Sequence, residues 1–365
     1  PLASDDKEKL ITSLVDVAAI GTISDCVSLL GENRIIVRQG LEVINSKPRL
    51  GITELAKVAN LTPGEISEWN ISWQITPRLN ASGRLDHATA AYQLLVTKSV
   101  EEAKQLATSL QEKNIARQKI TEEMVEAAAA IITKEQENEK LLIVLSPDLR
   151  GEEKSWSEGV IGLVAGRLTE RFGRPCFVIC LSEGNIKGSG RSIEQYNIGA
   201  SLEIGKDYLS RYGGHAMACG FTVKDQASLE SFVQVMREEA KRQLENTNLA
   251  PTISIDSEIA IDQLNDTLVE ELEKFVPYGE DNPEPCFVSY NVSIHDIMIM
   301  GADKRHIKFR FGDVWAIAFG RAEEYKDLKI GDRVDVVYTV GFNIFNNRRS
   351  VQLKIVDLRP VQQYE

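Results

Sequence analysis

The chain has 365 residues, with 54 acidic and 42 basic side chains, a formal net charge of −12 and an isoelectric point near 5.1. That length suits two or three domains. The acidic balance excludes indiscriminate coating of nucleic acid by the whole surface, yet it permits a local basic groove, because nearby charges set the potential.

Residues 10–30 are an apolar segment containing Gly21 and Asp25. NRIIVRQGLEVIN, 33–45, reads as a helix, and a short helical pattern covers 52–69. In WQITPRLNASGRLDHATAAYQLL the front half, with Pro77 and Gly83, reads as a loop, and the rear half is apolar at helical spacing. SVEE at 99–102 is a capping box, in which Glu102 is expected to reach back to Ser99. No Pro or Gly interrupts 99–139, so a helix of up to about 40 residues is expected to connect two domains, with Asn114 as the place for a break. LLIVL, GVIGLVAGRLTERFG, CFVICL, NIKGSGRS and a further helical stretch then give an α/β domain. Residues 222–246 supply another amphipathic helix. The last hundred residues carry five β-patterned runs, which fit about five antiparallel strands of a small Greek-key barrel of the OB type.

The five cysteines are expected to be mostly buried, free thiols of a reducing cytoplasm with no signal peptide before them. Cys176 and Cys180 share a strand face, but nothing nearby completes a zinc site. No apolar run reaches about 18 residues, so no membrane span is expected.

Four places could carry chemistry. In GGHAMACG, Gly213 and Gly214 let a phosphate approach the backbone and His215 can donate to it, or the segment is a tight turn with a satisfied histidine. In KGSGRS, Ser189 and Arg191 suit a phosphate, or form a Gly-rich hairpin with a surface arginine. In TPRLNASGRL, Arg78, Asn80, Ser82 and Arg84 crowd donors where the chain enters a helix. Asp25 lies among apolar residues and must be solvated, paired or metal-bound, as must Asp16, a weaker case. His87 is the only histidine of the first 200 residues.

Together and in this order, GTISDCVSLLGENRIIVRQGL, PRLNASGRL, EGVIGLVAGRLTERFGRP, GSGRS, GGHAMACG and VPYGEDNPEPCF resemble the second half of the RecJ-type single-stranded-DNA exonucleases of the DHH phosphoesterase superfamily. The resemblance covers essentially the whole chain. It implies an α/β multidomain fold: the C-terminal part of a DHH catalytic domain over 1–95, a long interdomain helix over 96–140, an α/β DHH-associated domain over 141–247 and an OB domain over 252–365.

It also implies 5′→3′ exonuclease action in DNA repair and recombination, with two Mn²⁺ or Mg²⁺ ions assisting hydrolysis. Asp25 matches a metal-ligand aspartate. Arg78, Asn80 and Arg84 match a loop lining the DNA path. Ser189 and Arg191 match residues holding the terminal phosphate, and Gly213, Gly214 and His215 match a phosphate-binding turn. Implied partners are single-stranded DNA with a 5′ end and a single-strand-binding protein or helicase, with no membrane. The family's earlier aspartate-rich motifs would lie before Pro1, so this chain is expected to be a piece that does not hydrolyse DNA alone. Ser157 stands where the family often has histidine. A non-catalytic single-strand-binding scaffold is the alternative.

In the C-terminal domain Phe309 and Phe311 share one strand face and Lys308 and Arg310 the other. The phenylalanines are expected in the core.

Overall fold

The structure is a computed structural model that describes residues 4–85, 88–132, 138–152, 155–345 and 348–361. His87 lies outside the described residues. In chain order the principal helices are α1 (Ser4–Ser24), α2 (Gly31–Ser46), α3 (Leu50–Val58), α4 (Thr76–Leu85), α5 (Thr89–Val96), α6 (Val100–Ile131), α7 (Glu158–Phe172), α8 (Gln226–Leu244) and α9 (Asp266–Glu273). The first five strands are β1 (Leu142–Leu145), β2 (Cys176–Ser182), β3 (Asn185–Arg191), β4 (Leu209–Gly214) and β5 (Ala218–Val223). The others are β6 (Ser257–Glu258), β7 (Phe287–Ser293), β8 (Asp296–Met300), β9 (His306–Phe311), β10 (Val314–Ala318), β11 (Arg333–Phe345) and β12 (Arg348–Pro360).

The chain divides into two compact units, Pro1–Pro48, Pro63–Ser72 and Thr252–Glu365 in one, Arg49–Thr62 and Trp73–Pro251 in the other. In the first unit α1 and α2 pack closely. A Cβ on Gly40 would lie 2.2 Å from that of Ala19, so only glycine permits the approach. The Asn45 side chain clamps the backbone of Ile66, donating to its carbonyl at 2.8 Å and accepting from its amide at 2.7 Å.

The same unit holds a seven-stranded sheet in the order β6-β7-β11-β12-β10-β9-β8. Its burial alternates as expected, with Phe309 and Phe311 fully buried and Lys308 and Arg310, which alternate with them, partly exposed. Three details differ from the sequence reading. FVSYNVSIHDIMIM is two strands, because the ladder breaks after Ser293, where the Ile294 amide turns to the Asp332 carbonyl at 2.9 Å. The short strand β6 adds to β7 in parallel, and β10 pairs with β12 in parallel rather than antiparallel.

The second unit contains a mixed sheet in the order β1-β2-β3-β5-β4, parallel at β1/β2 and antiparallel elsewhere. Both faces of β2 are buried, which explains its continuous apolar run. Cys176, Val178 and Cys180 face a cluster with Val160, Val164 and Leu168 of α7. Phe177 and Ile179 face Phe221 of β5 and Phe232 of α8, and Phe177 meets Phe221 edge-on at 5.1 Å between ring centroids. Cys219 is also buried, but Cys26 is exposed and Cys286 half-buried, so burial of the thiols holds for three of the five.

Helix α6 runs unbroken for 32 residues through Asn114. It lies wholly in the second unit and serves two clusters there. Ala103, Ala107 and Leu110 pack with Leu55, Ile75 and Leu94, whereas Met124, Ala128 and Ile132 pack with the α7 side of the sheet. Ser99 caps it, accepting from the Glu102 amide at 3.3 Å. Glu102 does not return the bond to Ser99. Its carboxylate accepts from the Thr97 hydroxyl, and that oxygen accepts from the Ser99 amide at 3.1 Å.

TPRLNASGRL, read from its Pro and Gly as a loop, is helix α4. Pro77 lies inside a helical run that begins at Glu68, just after the π-helical residues Ile71–Ile75, a local widening of the helix beside the proline's missing amide. A Cβ on Gly83 would meet only Ala88 at 3.8 Å, so this glycine marks no turn.

Candidate phosphate-binding cleft

Bare glycine backbone shapes a cleft of about 520 Å³ in the second unit. It is lined by Arg84 at the end of α4, by the first turn of α7, by Lys187, Gly188, Ser189 and Arg191 of β3, and by residues of β4 and β5. Gly159 lets α7 abut α4, since a Cβ there would sit 2.1 Å from the Arg84 carbonyl oxygen. Gly162, one turn on, would place a Cβ 3.0 Å from Ser189 Oγ and 3.1 Å from Arg191 Nη2. Gly166 carries the same stripe on past Arg191 Cγ at 3.8 Å. The helix therefore presents bare backbone to the serine and arginine.

Arg191 Nη1 donates to the Gly190 carbonyl at 2.7 Å and lies 3.3 Å from Ser189 Oγ. Ser189 Oγ also donates to the Cys219 carbonyl at 3.3 Å. Arg84 Nη1 donates to the Gly159 carbonyl at 3.2 Å. These are neutral acceptors. Among the described residues neither arginine has an ion pair with a carboxylate. Burial pushes both guanidinium pKa values down, and for Arg84 the positive charge of Arg191 adds to the effect. Both stay charged at neutral pH, because an arginine cannot be deprotonated there. Two half-buried like charges beside the N-terminal end of a 15-residue helix define a site for an anion. A phosphate is the anion that planar guanidinium groups hold best, since it can accept two parallel bonds from one of them.

The one carboxylate in the lining is neutralised. Glu158 Oε2 accepts from Lys187 Nζ at 2.6 Å and from Ser182 Oγ at 2.8 Å. Burial works against its charge, but those two bonds outweigh burial and hold its carboxyl below the usual range.

The structure thus brings Arg84, Ser189 and Arg191 together. Arg78 is on α4 but turned inward, donating to Gln111 Oε1 at 2.7 Å and to the Gln74 carbonyl at 2.5 Å. Asn80 is exposed on the same helix, and Ser82 is fully buried, bonded to the Leu79 carbonyl at 3.2 Å. Gly213 and Gly214 end β4. His215 is exposed just beyond, and its amide closes the hairpin on the Ala218 carbonyl at 2.8 Å. Gly214 is packed, since a Cβ there would lie 2.4 Å from the Ala218 oxygen.

Sequence reading passed over Arg117. It sits on α6 and feels the charge of Arg84. Its Nη2 donates to Asn114 Oδ1 at 2.9 Å, while its buried Nε has no partner among the described residues. Burial first, then Arg84 and Arg167, push its guanidinium pKa down. The sequence signal was Asn114 followed at helical i+3 spacing by an arginine, a polar pair on the face that otherwise carries Ala107, Leu110 and Met124.

Asp25 belongs to the first unit and is exposed just after α1. Asp16, by contrast, is buried and accepts from the Val17 amide at 2.8 Å. No group of three or more histidine, cysteine, aspartate or glutamate side chains that could hold a metal occurs among the described residues. A divalent centre needs several such ligands, so Asp25 alone does not make one. No helix among the described residues is long and apolar enough to cross a membrane.

Residues 112–242 match the DHHA1 domain and residues 255–357 match the RecJ OB domain. The chain is 32% identical to the single-stranded-DNA-specific exonuclease RecJ of Bacillus subtilis over 355 residues, covering 96% of this chain and 44% of that protein. Crystal structures of RecJ from Thermus thermophilus, one in complex with Mg²⁺ and one with Mn²⁺, superpose with TM-scores of 0.81 at 30% and 29% identity. They match 96% and 97% of this chain, and it covers 53% and 50% of theirs. The chain spans about half the length of these relatives, and it belongs to the RecJ family.

Proposed function

We propose that this chain supplies the strand-holding part of a metal-dependent exonuclease that removes nucleotides from single-stranded DNA in the 5′→3′ direction, in DNA repair and recombination. The observation that carries the reading is the convergence of Arg84, Ser189 and Arg191 on one cleft with no carboxylate partner for either arginine among the described residues. A terminal phosphate is dianionic and compact, and two planar guanidinium groups grip it better than they grip an internal diester. That preference for an end is what makes a nuclease act from a terminus.

In this reading residues 1–95 are the C-terminal part of the DHH catalytic domain, 96–140 the long helix, 141–247 the DHH-associated domain and 252–365 the OB domain. Arg78 and Asn80 line the strand path, and Gly213, Gly214 and His215 add a phosphate contact at the hairpin. Mn²⁺ or Mg²⁺ would polarise the scissile phosphate and activate a water in the whole protein. Asp25 is the ligand this chain would contribute. A single-strand-binding protein or a helicase is the proposed protein partner, in the cytoplasm.

The test is equilibrium binding of this chain to 5′-phosphorylated single strands, 5′-hydroxyl single strands and blunt duplex, followed by single-turnover digestion with Mn²⁺. Preference for the phosphorylated single strand, without hydrolysis by this chain alone, is expected. Equal affinity for all three removes the reading. Single-strand binding that ignores the 5′-phosphate favours a scaffold instead.

A further inference from the structure

The cleft contains one more cation. Across the sheet, Arg211 of β4 lies opposite Thr222 of β5, which lies opposite Lys187 of β3. Residues directly opposite one another share a face, so Arg211 and Lys187 stand on the face that carries Ser189 and Arg191, about 10 Å apart across two strand spacings. Lys187 is already engaged by Glu158 at 2.6 Å. Arg211 is exposed, and its side chain makes no ion pair or hydrogen bond among the described residues.

Between the Arg211 row and the Arg191 row lies a row of Gly213, Gly220 and Ser189. The fold does not demand the two glycines. Neither has a left-handed backbone. A Cβ on Gly213 would meet nothing within 4 Å, and one on Gly220 only the Gly188 carbonyl oxygen at 3.9 Å. Glycine inside a strand weakens it unless something must come close to the backbone. By contrast, Gly188 and Gly190 are fixed by the aromatic rings and thiol packed against them.

We propose that Arg211 holds an internucleotide phosphate near the 5′ end of the strand, the sugar-phosphate chain crossing the Gly213–Gly220 floor from the Arg84/Arg191 pocket. This rests on the phosphate reading of that pocket. Arg211 is thereby a positioning residue that senses strand continuation rather than the terminus.

The test compares the parent chain and Arg211→Ala on 5′-phosphorylated oligodeoxynucleotides. In one the first two linkages are neutral methylphosphonates, in another two distal linkages are, and a third has none. For the parent, neutral proximal linkages are expected to weaken binding by about tenfold, the effect of losing one charge-assisted contact. Arg211→Ala is expected to bind proximal-neutral and unmodified strands alike and to lower the slope of log affinity against log salt by about one. If the parent prefers a 5′-phosphate but ignores proximal neutralisation, or if Arg211→Ala keeps the parent's sensitivity, the Arg211 assignment is overturned and the pocket stands. If the parent does not distinguish a 5′-phosphate from a 5′-hydroxyl, the pocket reading itself fails.

Discussion

The carbonyl oxygen of Arg84 lies 2.1 Å from where a Cβ of Gly159 would stand. The end of α4 and the start of α7 are therefore in backbone contact, and that contact sets where the Arg84 guanidinium enters the cleft. Gly159→Ala must push the two helices apart. It is expected to destabilise by about 1–3 kcal/mol, the range for overpacking, and to weaken binding of 5′-phosphorylated strands. Gly166→Ala, whose added Cβ meets Arg191 Cγ at an ordinary 3.8 Å, should instead gain about 0.5–1 kcal/mol from helix propensity. Urea midpoints of the two variants check the contrast. Equal destabilisation would show that the Arg84 contact is not the constraint.

Arg191→Lys is expected to behave almost like Arg191→Ala. Lysine keeps the charge but cannot grip a phosphate with a planar pair of donors. Losing that grip should weaken 5′-phosphate binding by about 1.5–3 kcal/mol, the value of a charge-assisted hydrogen bond, with a smaller loss for Ser189→Ala. Titration with phosphorylated and unphosphorylated strands reads the effect. Full retention by the lysine variant would mean that charge alone suffices.

Arg117→Met separates stability from binding. The substitution removes a half-buried charge next to Arg84 and Arg167 and an Nε with no partner among the described residues. Like-charge relief is expected to raise or hold the thermal midpoint while strand affinity falls. A lower midpoint with unchanged affinity would make Arg117 a structural residue only.

His215→Ala tests the hairpin. His215 is exposed, and its backbone rather than its ring closes the turn, so the variant should fold normally. Weaker binding of 5′-phosphorylated single strands is expected, and parent affinity would withdraw the phosphate role proposed for this side chain.

The buried thiols make a statement about pH. Burial pushes Cys180 and Cys219 up to about 12, and Cys176 higher still. An unfolded thiol titrates near 8.5. The native state therefore holds protons that the unfolded state releases, and their contribution to stability is complete below about pH 8.5 and is lost as pH rises toward 12. Denaturation midpoints at pH 7 and 9.5 should show the fall. At pH 8 a disulfide reagent should modify exposed Cys26 quickly and the three buried thiols only on unfolding.

Periodicity showed most of the architecture before the structure did. Cys176/Val178/Cys180 and Phe177/Ile179 supply two apolar faces, and a strand with two apolar faces has to be covered on both sides. Phe309 and Phe311 were legible for the same reason. What escaped was context. Pro77 and Gly83 punctuate a loop in general, yet here the helix carries the proline just after the π-helical residues Ile71–Ile75, and nothing local announces that accommodation. The antiparallel expectation for β10 and β12 failed because pairing partners are set by the path of the whole sheet. In the cleft, Ser189 and Arg191 stood out as a compact motif. Arg117 did not, since an arginine on a long charged helix looks like any solvated residue until Arg84 is brought beside it. Gly159 and Gly162 lie within the helical run GVIGLVAGRLTERFG, and their purpose depends on what approaches them from elsewhere in the chain.

Helix α6 also fixes a phase. Each residue advances it by about 100° and 1.5 Å. Its two ends are seated in separate clusters, around Leu110 and around Met124. A single insertion between them would rotate one end by nearly a third of a turn against the other, and Arg117 with it. Seven residues would restore the angle but lengthen the shaft by about 10 Å, so insertions belong in the connections outside it.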